Sequence, residues 1–200
     1  MTITSIIFDW GGVLTIGKHS HSIEKLLKTQ YNVGVSYAEL CKSLDKMDCG
    51  ALSIAEFTKI INEKFNCEIS AKEMARLFCD AIKPNKGIIH LARKLSGKYE
   101  MIMLSNNNIS TVAALRKNQS KMLAIFDKVY FSCDLKTRKP HKKIYKIMLK
   151  RSHLTPENCI FIDDVKPNVE TAKKLGINTI QFKSEDKLKR DLKKLGVVVN

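Results

Sequence analysis

Apolar positions along this chain follow two rhythms. Residues 3–8 form an almost unbroken apolar run, too apolar for a strand with one wet face, which predicts a strand buried on both sides. It ends in Asp9, followed by Trp10, Gly11 and Gly12, where paired glycines allow a tight turn. From about residue 20 to 85 the rhythm is helical, with Ile23, Leu26 and Leu27, then Leu40, Leu44 and Met47, recurring at helical spacing. Ser53-Ile-Ala-Glu56 and Ser70-Ala-Lys-Glu73 read as capping boxes, the first opening a helix with Phe57, Ile60 and Ile61 on one face. No strand is expected in this stretch.

From Gly87 onward the elements alternate. The pattern predicts a helix over 88–95 stopped at Gly97, a strand over 100–104, a helix over 109–117 and a short strand over 128–131. A polar loop to Lys139 follows, then a helix opened by Pro140. A strand over 160–162, a helix from Pro167 to Gly176, a strand over 177–182 and a charged helix over 187–194 complete the chain, the last packing through Leu188, Leu192 and Leu195. Such alternation predicts an α/β fold, a Rossmann-like parallel sheet with helices on both faces. The expected division is an α/β core from residues 1–15 and 86–200, with a small helical domain inserted at 16–85.

Composition narrows the partners. Hydrophobic residues at 44% and charged residues at 28% are ordinary for a globular chain, but a net charge of +15 is not and suits anionic partners. The lysines are spread along helical stretches, with no compact basic arm interleaved with aromatics, which argues against nucleic acid. The six cysteines are scattered, without CxxC pairs, and are expected to be reduced core thiols of a cytoplasmic protein. No apolar run is long enough to span a bilayer, and the N-terminus lacks a basic leader, so no membrane partner is expected.

Candidate chemistry lies at the strand ends. Asp9, Ser105-Asn106, Lys139 and Asp163-Asp164 each follow a predicted strand, and in a parallel sheet these ends share one edge. Together they supply a nucleophilic carboxylate, a hydroxyl donor, a cation and acids able to hold a hard divalent metal. Phosphoryl transfer needs such a set, because charge on the transferring group must be neutralised while the attacking oxygen is held in line. The stretch from Gly12 to Lys18 nearly spells a phosphate-binding P-loop, but the next residue is His19 rather than Ser or Thr.

FDWGGVL, LSNNN, RKPHKKIY and FIDDVKPN, in that order, resemble the four motifs of the haloacid dehalogenase superfamily. The helical insertion resembles that superfamily's small cap. GALSIAEF and DLKTRKPHKKIY look most like the group containing α-glucose-1-phosphate phosphatases and epoxide hydrolase N-terminal domains. The resemblance implies a Mg²⁺-dependent phosphatase acting on a small phosphorylated metabolite. Asp9 would attack phosphorus and carry the phosphoryl group. Ser105, with the backbone N–H of Asn106, would hold a phosphate oxygen. Lys139 would pair with Asp9 and the phosphate. Asp9, the Gly11 carbonyl and Asp164 would hold Mg²⁺, with Asp163 behind Asp164 and Asn168 reaching a metal-bound water.

Gly11 departs from the pattern, since phosphatases of this family usually carry a second Asp there as general acid and base. Such catalysis is typically worth ~10²–10⁴-fold. Three alternatives follow: a slow enzyme, a non-catalytic module binding a phosphometabolite or protein, and a 2-haloacid dehalogenase, which needs no metal and does not keep the paired acids. His19 and His21 are candidate substitute proton donors, and Met47 and Asp48, before the Gly50 turn, are candidates to face the substrate.

Overall fold

The computed structural model describes residues 2–16, 19–80 and 83–199. Its centre is a five-stranded parallel sheet in the order β5-β4-β1-β6-β7. The strands are β1 (Ser5–Phe8), β4 (Glu100–Ser105), β5 (Lys128–Phe131), β6 (Cys159–Asp163) and β7 (Asn178–Gln181). The chain leaves β1 and returns on one side through β4 and β5, then on the other through β6 and β7. The crevice where strand order reverses therefore lies at the C-terminal end of β1. Every residue of β1 is buried, and three of the four are apolar, as a strand covered on both faces requires.

Helices cover both faces: α5 (Lys86–Leu95), α6 (Ile109–Asn118), α7 (Ser120–Leu123), α8 (Ser132–Leu135), α9 (Lys142–Ser152), α10 (Lys166–Lys173) and α11 (Glu185–Lys194). Alternate strand residues face opposite cores. Ile6 and Phe8 pack with Met101, Met103 and Ile162, while Ile7 packs with Ile102, Leu104 and Phe161.

Between the strand pair β2 (Thr15–Ile16) and β3 (Lys83–Pro84) the chain forms α1 (His19–Tyr31), α2 (Tyr37–Asp48), α3 (Ile54–Phe65) and α4 (Ala71–Asp80). These helices enclose a core of their own, with Leu27, Leu40, Leu44, Met47, Phe57, Ile61, Met74, Leu77 and Phe78 buried. Capping boxes at Ser53/Glu56 and Ser70/Glu73 form as expected, and a third, unread in the sequence, forms at Ser36/Glu39. Asn85 ties this unit to the sheet. Its backbone N–H donates to Leu14 O and its side chain to Val13 O, while its Oδ1 caps α5.

Several expectations need correction. The β2–β3 ribbon was not expected, because two-residue strands carry no periodic signal. The polar loop before Lys139 contains a one-turn helix, α8. Pro140 does not open a helix; it lies in a turn, and α9 begins at Lys142 with His141 as its cap residue. Ile60 is 38% exposed, because the inward face of α3 runs through Phe57, Thr58 and Ile61. Of the cysteines, Cys133 and Cys159 are buried thiols, whereas Cys41, Cys49, Cys67 and Cys79 are partly exposed. No described helix is long and apolar enough to cross a membrane.

Candidate active site

Asp9 sits one residue beyond β1, its N–H donating to Ile162 O of the neighbouring strand. It is 6% exposed and caps the turn Trp10–Leu14, where Trp10 N–H donates to Asp9 Oδ1 at 2.6 Å. Gly12 in this turn has φ +77, and a Cβ there would lie 2.8 Å from the Asp164 carboxylate. Glycine at 12 therefore serves both the turn and the close approach of the two acidic segments. Gly11 has φ −72 and ψ 122, angles open to any L-residue.

Lys139 is the hub. Only 1% exposed, its Nζ lies 2.7 Å from Asp9 Oδ1 and 2.7 Å from Asp163 Oδ2. Its main chain is clamped by the Asn106 side chain, which donates to Lys139 O and accepts from Lys139 N, both at 2.9 Å. Asp163 is saturated: Oδ1 accepts from Val165 N and Asn168 Nδ2, and Oδ2 accepts from Lys139 and Asn168 Nδ2. Tyr145, fully buried, donates its hydroxyl to Asn168 O and packs edge-on against Phe161.

Carboxylate oxygens of Asp9, Asp163 and Asp164 lie within 4.8 Å of one another. Lys139 pairs with two of these acids and Asp164 lies beside them, so negative charge gathers at a largely buried site. Burial pushes the Asp9 carboxyl up to about 8, with Lys139 opposing and Asp163 and Asp164 adding to the rise. Burial pulls the Lys139 ammonium down, but Asp163 and Asp9 more than offset it and hold the ammonium above its ordinary range. Carboxylates with a main-chain carbonyl form a hard-oxygen donor set of the kind a divalent cation prefers. With Asp163 already saturated, Asp9 and Asp164 are the side chains suited to hold it.

Ser105 ends β4. Met103 pairs with Phe8, which places Ser105 one step beyond the level of Asp9 on the adjacent strand. Its hydroxyl accepts from Asn107 Nδ2 at 2.7 Å. The amide nitrogen of Asn168 is turned onto both carboxylate oxygens of Asp163. Met47 is 1% exposed within the helical core and does not face the cleft; helix packing takes it inward with Leu40 and Leu44. Asp48 lies 3.6 Å from Arg138 Nε, and Asp45 lies 2.5 Å from Arg138 Nη1. The side chains of His19 and His21, and Gly17 and Lys18 of the near-P-loop, lie outside the described residues. Arg138 and Asn107 were missed in the sequence: a basic residue among many, and one of three consecutive asparagines.

A parallel α/β sheet with a carboxylate at its central switch point, a buried lysine and a paired acid defines a hydrolase of the haloacid dehalogenase type. The family model for haloacid dehalogenase-like hydrolases matches residues 3–176, and the chain belongs to that family. It is 27% identical over 196 residues to a D-ribitol-5-phosphate phosphatase of Bacteroides thetaiotaomicron, covering 90% of this chain and 91% of the relative. A HAD family enzyme of the same organism, solved as a point variant with magnesium and inorganic phosphate, superposes with a TM-score of 0.77 at 27% identity, covering 90% and 94% of the two chains. A HAD-like family hydrolase from Porphyromonas gingivalis gives a TM-score of 0.79 at 26% identity over 98% of each chain.

Proposed function

We propose that this chain is a Mg²⁺-dependent phosphatase that hydrolyses a small phosphorylated metabolite, such as a sugar or polyol phosphate, through a phospho-aspartate on Asp9. The observation that carries this reading is the convergence of Asp9, Asp163 and Asp164 at the end of the central strand, with Lys139 bridging the first two. The named relative acting on a polyol phosphate and the magnesium–phosphate complex of a structural neighbour agree with it. In this reading residues 1–15 and 86–200 are the catalytic core and residues 16–85 the cap.

Both hydrogen-bonding contacts described for Asp9 end on Oδ1, which leaves Oδ2 as the attacking oxygen. As the Oδ2–P bond forms, the bond from phosphorus to the leaving oxygen breaks, and that oxygen departs with the electron pair and takes a proton from solvent. Water then attacks phosphorus and gives up a proton to solvent, the Oδ2–P bond breaks, and phosphate leaves with Asp9 restored. Lys139 favours the ionised form of Asp9 against the burial that raises its pKa, bound Mg²⁺ would add to that effect, and the ammonium offsets repulsion between carboxylate and phosphate. The Ser105 hydroxyl and Asn106 N–H hold a phosphoryl oxygen. Asp9, Asp164 and the Gly11 carbonyl would hold Mg²⁺, which supplies charge neutralisation at the phosphoryl oxygens. Asp163, locked by Asn168, Val165 and Lys139, positions its neighbour Asp164.

The test is hydrolysis of an aryl phosphate and a panel of phosphorylated carbohydrates, D-ribitol 5-phosphate included. Activity should require Mg²⁺ and vanish in Asp9→Asn, because an amide supplies neither nucleophile nor charge. Full activity in EDTA or in Asp9→Asn would refute the mechanism. Gly11 favours a second reading, a binding module without turnover; phosphate binding by the wild type with no hydrolysis of any panel member would establish it.

A further inference from the structure

We propose that Asn107 is a positioning residue that makes the Ser105 hydroxyl a hydrogen-bond donor toward the phosphoryl group. The inference rests on the reading of Ser105 as a ligand of a phosphate oxygen and adds a residue on which that role depends.

Asn107 lies two residues beyond Ser105 in the loop between β4 and α6. Ser105, Asn107 and Ser132 are 1%, 4% and 0% exposed. The main chain of Asn107 is pinned across the sheet, its N–H donating to Ser132 Oγ at 3.0 Å and its carbonyl accepting from the same hydroxyl at 3.4 Å. Ser132 follows Phe131, the residue paired with Ser105 across β4 and β5, so this pin is referenced to the sheet itself. Its side chain does something different: Nδ2 donates to Ser105 Oγ at 2.7 Å.

The polarity of that bond is the point. A serine hydroxyl has one hydrogen to give and two lone pairs, and an amide nitrogen can only donate. The Asn107 contact therefore occupies a lone pair and leaves the hydroxyl hydrogen for another acceptor. A phosphoryl oxygen is such an acceptor, and it carries the charge that strengthens the bond. Without the amide, the hydroxyl rotor is free, and the same hydrogen can turn away from the substrate. Asn107 thus sets direction at Ser105 while its main chain, through Ser132, sets place.

The experiment is a double-mutant cycle on the full chain with Mg²⁺, reading the inhibition constant of inorganic phosphate and kcat/KM for an aryl phosphate, with a thermal melt for each variant. The variants are Ser105→Ala, Asn107→Ala, Asn107→Leu and the two Ser105/Asn107 double variants; leucine keeps bulk near that of asparagine without a donor. Ser105→Ala should weaken phosphate inhibition by about 10- to 100-fold, the range for a hydrogen bond to a charged group. Either Asn107 variant should weaken it by about 3- to 10-fold beside Ser105 and have no further effect in the Ser105→Ala background. Equal Asn107 effects in both backgrounds, or none beside Ser105, would overturn the proposal. Unchanged phosphate inhibition in Ser105→Ala would instead overturn the reading of Ser105 itself, and this inference with it.

Discussion

Arg138 and Lys139 are consecutive in the chain, and each bridges two acids, yet they work in opposite regimes. Lys139 is 1% exposed and joins Asp9 and Asp163, whose side chains are 9% and 0% exposed. Arg138 is 19% exposed and reaches from the core to Asp45 and Asp48 on α2, which are 47% and 20% exposed. The first bridge closes a dry site within one rigid layer. The second crosses to the inserted helices and is the more exposed of the two. Gly50 belongs to the same crossing: with φ +65, a Cβ there would lie 2.9 Å from Lys136 Nζ and 3.1 Å from Cys133 O. One turn of chain thus carries both the charge paired with Asp9 and the charge paired with α2.

The largest effect should come from Lys139→Met. Removing the cation leaves Asp9 and Asp163 buried without their partner, a change worth about 3–5 kcal/mol of stability. Denaturant unfolding should show that loss, with no turnover remaining and partial recovery of stability by Mg²⁺. A loss under 1 kcal/mol in metal-free protein would mean that the cluster is wetter than its burial indicates.

Gly11→Asp should act next, on rate rather than stability, since the backbone angles at position 11 suit an aspartate. A proton donor there should raise turnover of alkyl phosphates by up to ~10²–10⁴-fold and much less for aryl phosphates, whose leaving groups need no proton. A plot of rate against leaving-group pKa should flatten. If the wild type is already flat, another residue delivers the proton, and His19 and His21 are the first to replace.

The partly exposed bridge should reveal itself in pH. Burial raises the Asp48 carboxyl from 3.8 to about 7, against Arg138 and reinforced by Asp45. The folded, docked state then holds a proton that the unfolded chain has lost, so stability should fall as pH rises from about 4 to about 7. In EDTA, Asp9 contributes with the same sign up to about 8. Asp48→Asn should remove the Asp48 part of the slope, and Mg²⁺ should remove the Asp9 part. A wild-type slope unchanged by Asp48→Asn would show that Asp48 is solvated.

Arg138→Ala should have the smallest effect, at most about 1 kcal/mol on stability, as for partly exposed ion pairs. Its mark should fall on KM for large substrates rather than on kcat for a small aryl phosphate, because docking of the helical unit shapes access to the cleft. Equal losses on both would place Arg138 within the site instead.

Much of this molecule is written in local pattern. The buried run ending in Asp9, the alternation after Gly87 and the serine–glutamate boxes are periodic or short-range features, and they predicted the parallel sheet and the helical insert. The same logic placed Asp9, Ser105, Lys139 and Asp164 at strand ends, since a parallel sheet gathers those ends along one edge. Only tertiary structure decided what each group touches. It turned Asn168 onto Asp163, set Met47 inside the helical core, and made Asn106 the clamp of Lys139 and Asn107 the partner of Ser105. Nothing in the sequence separates Lys139 from the other lysines by solvation, because burial is a property of what surrounds a side chain. Chain pattern fixes which backbone groups pair nearby, whereas the partners of a buried charge are chosen by packing between segments that only the fold brings together.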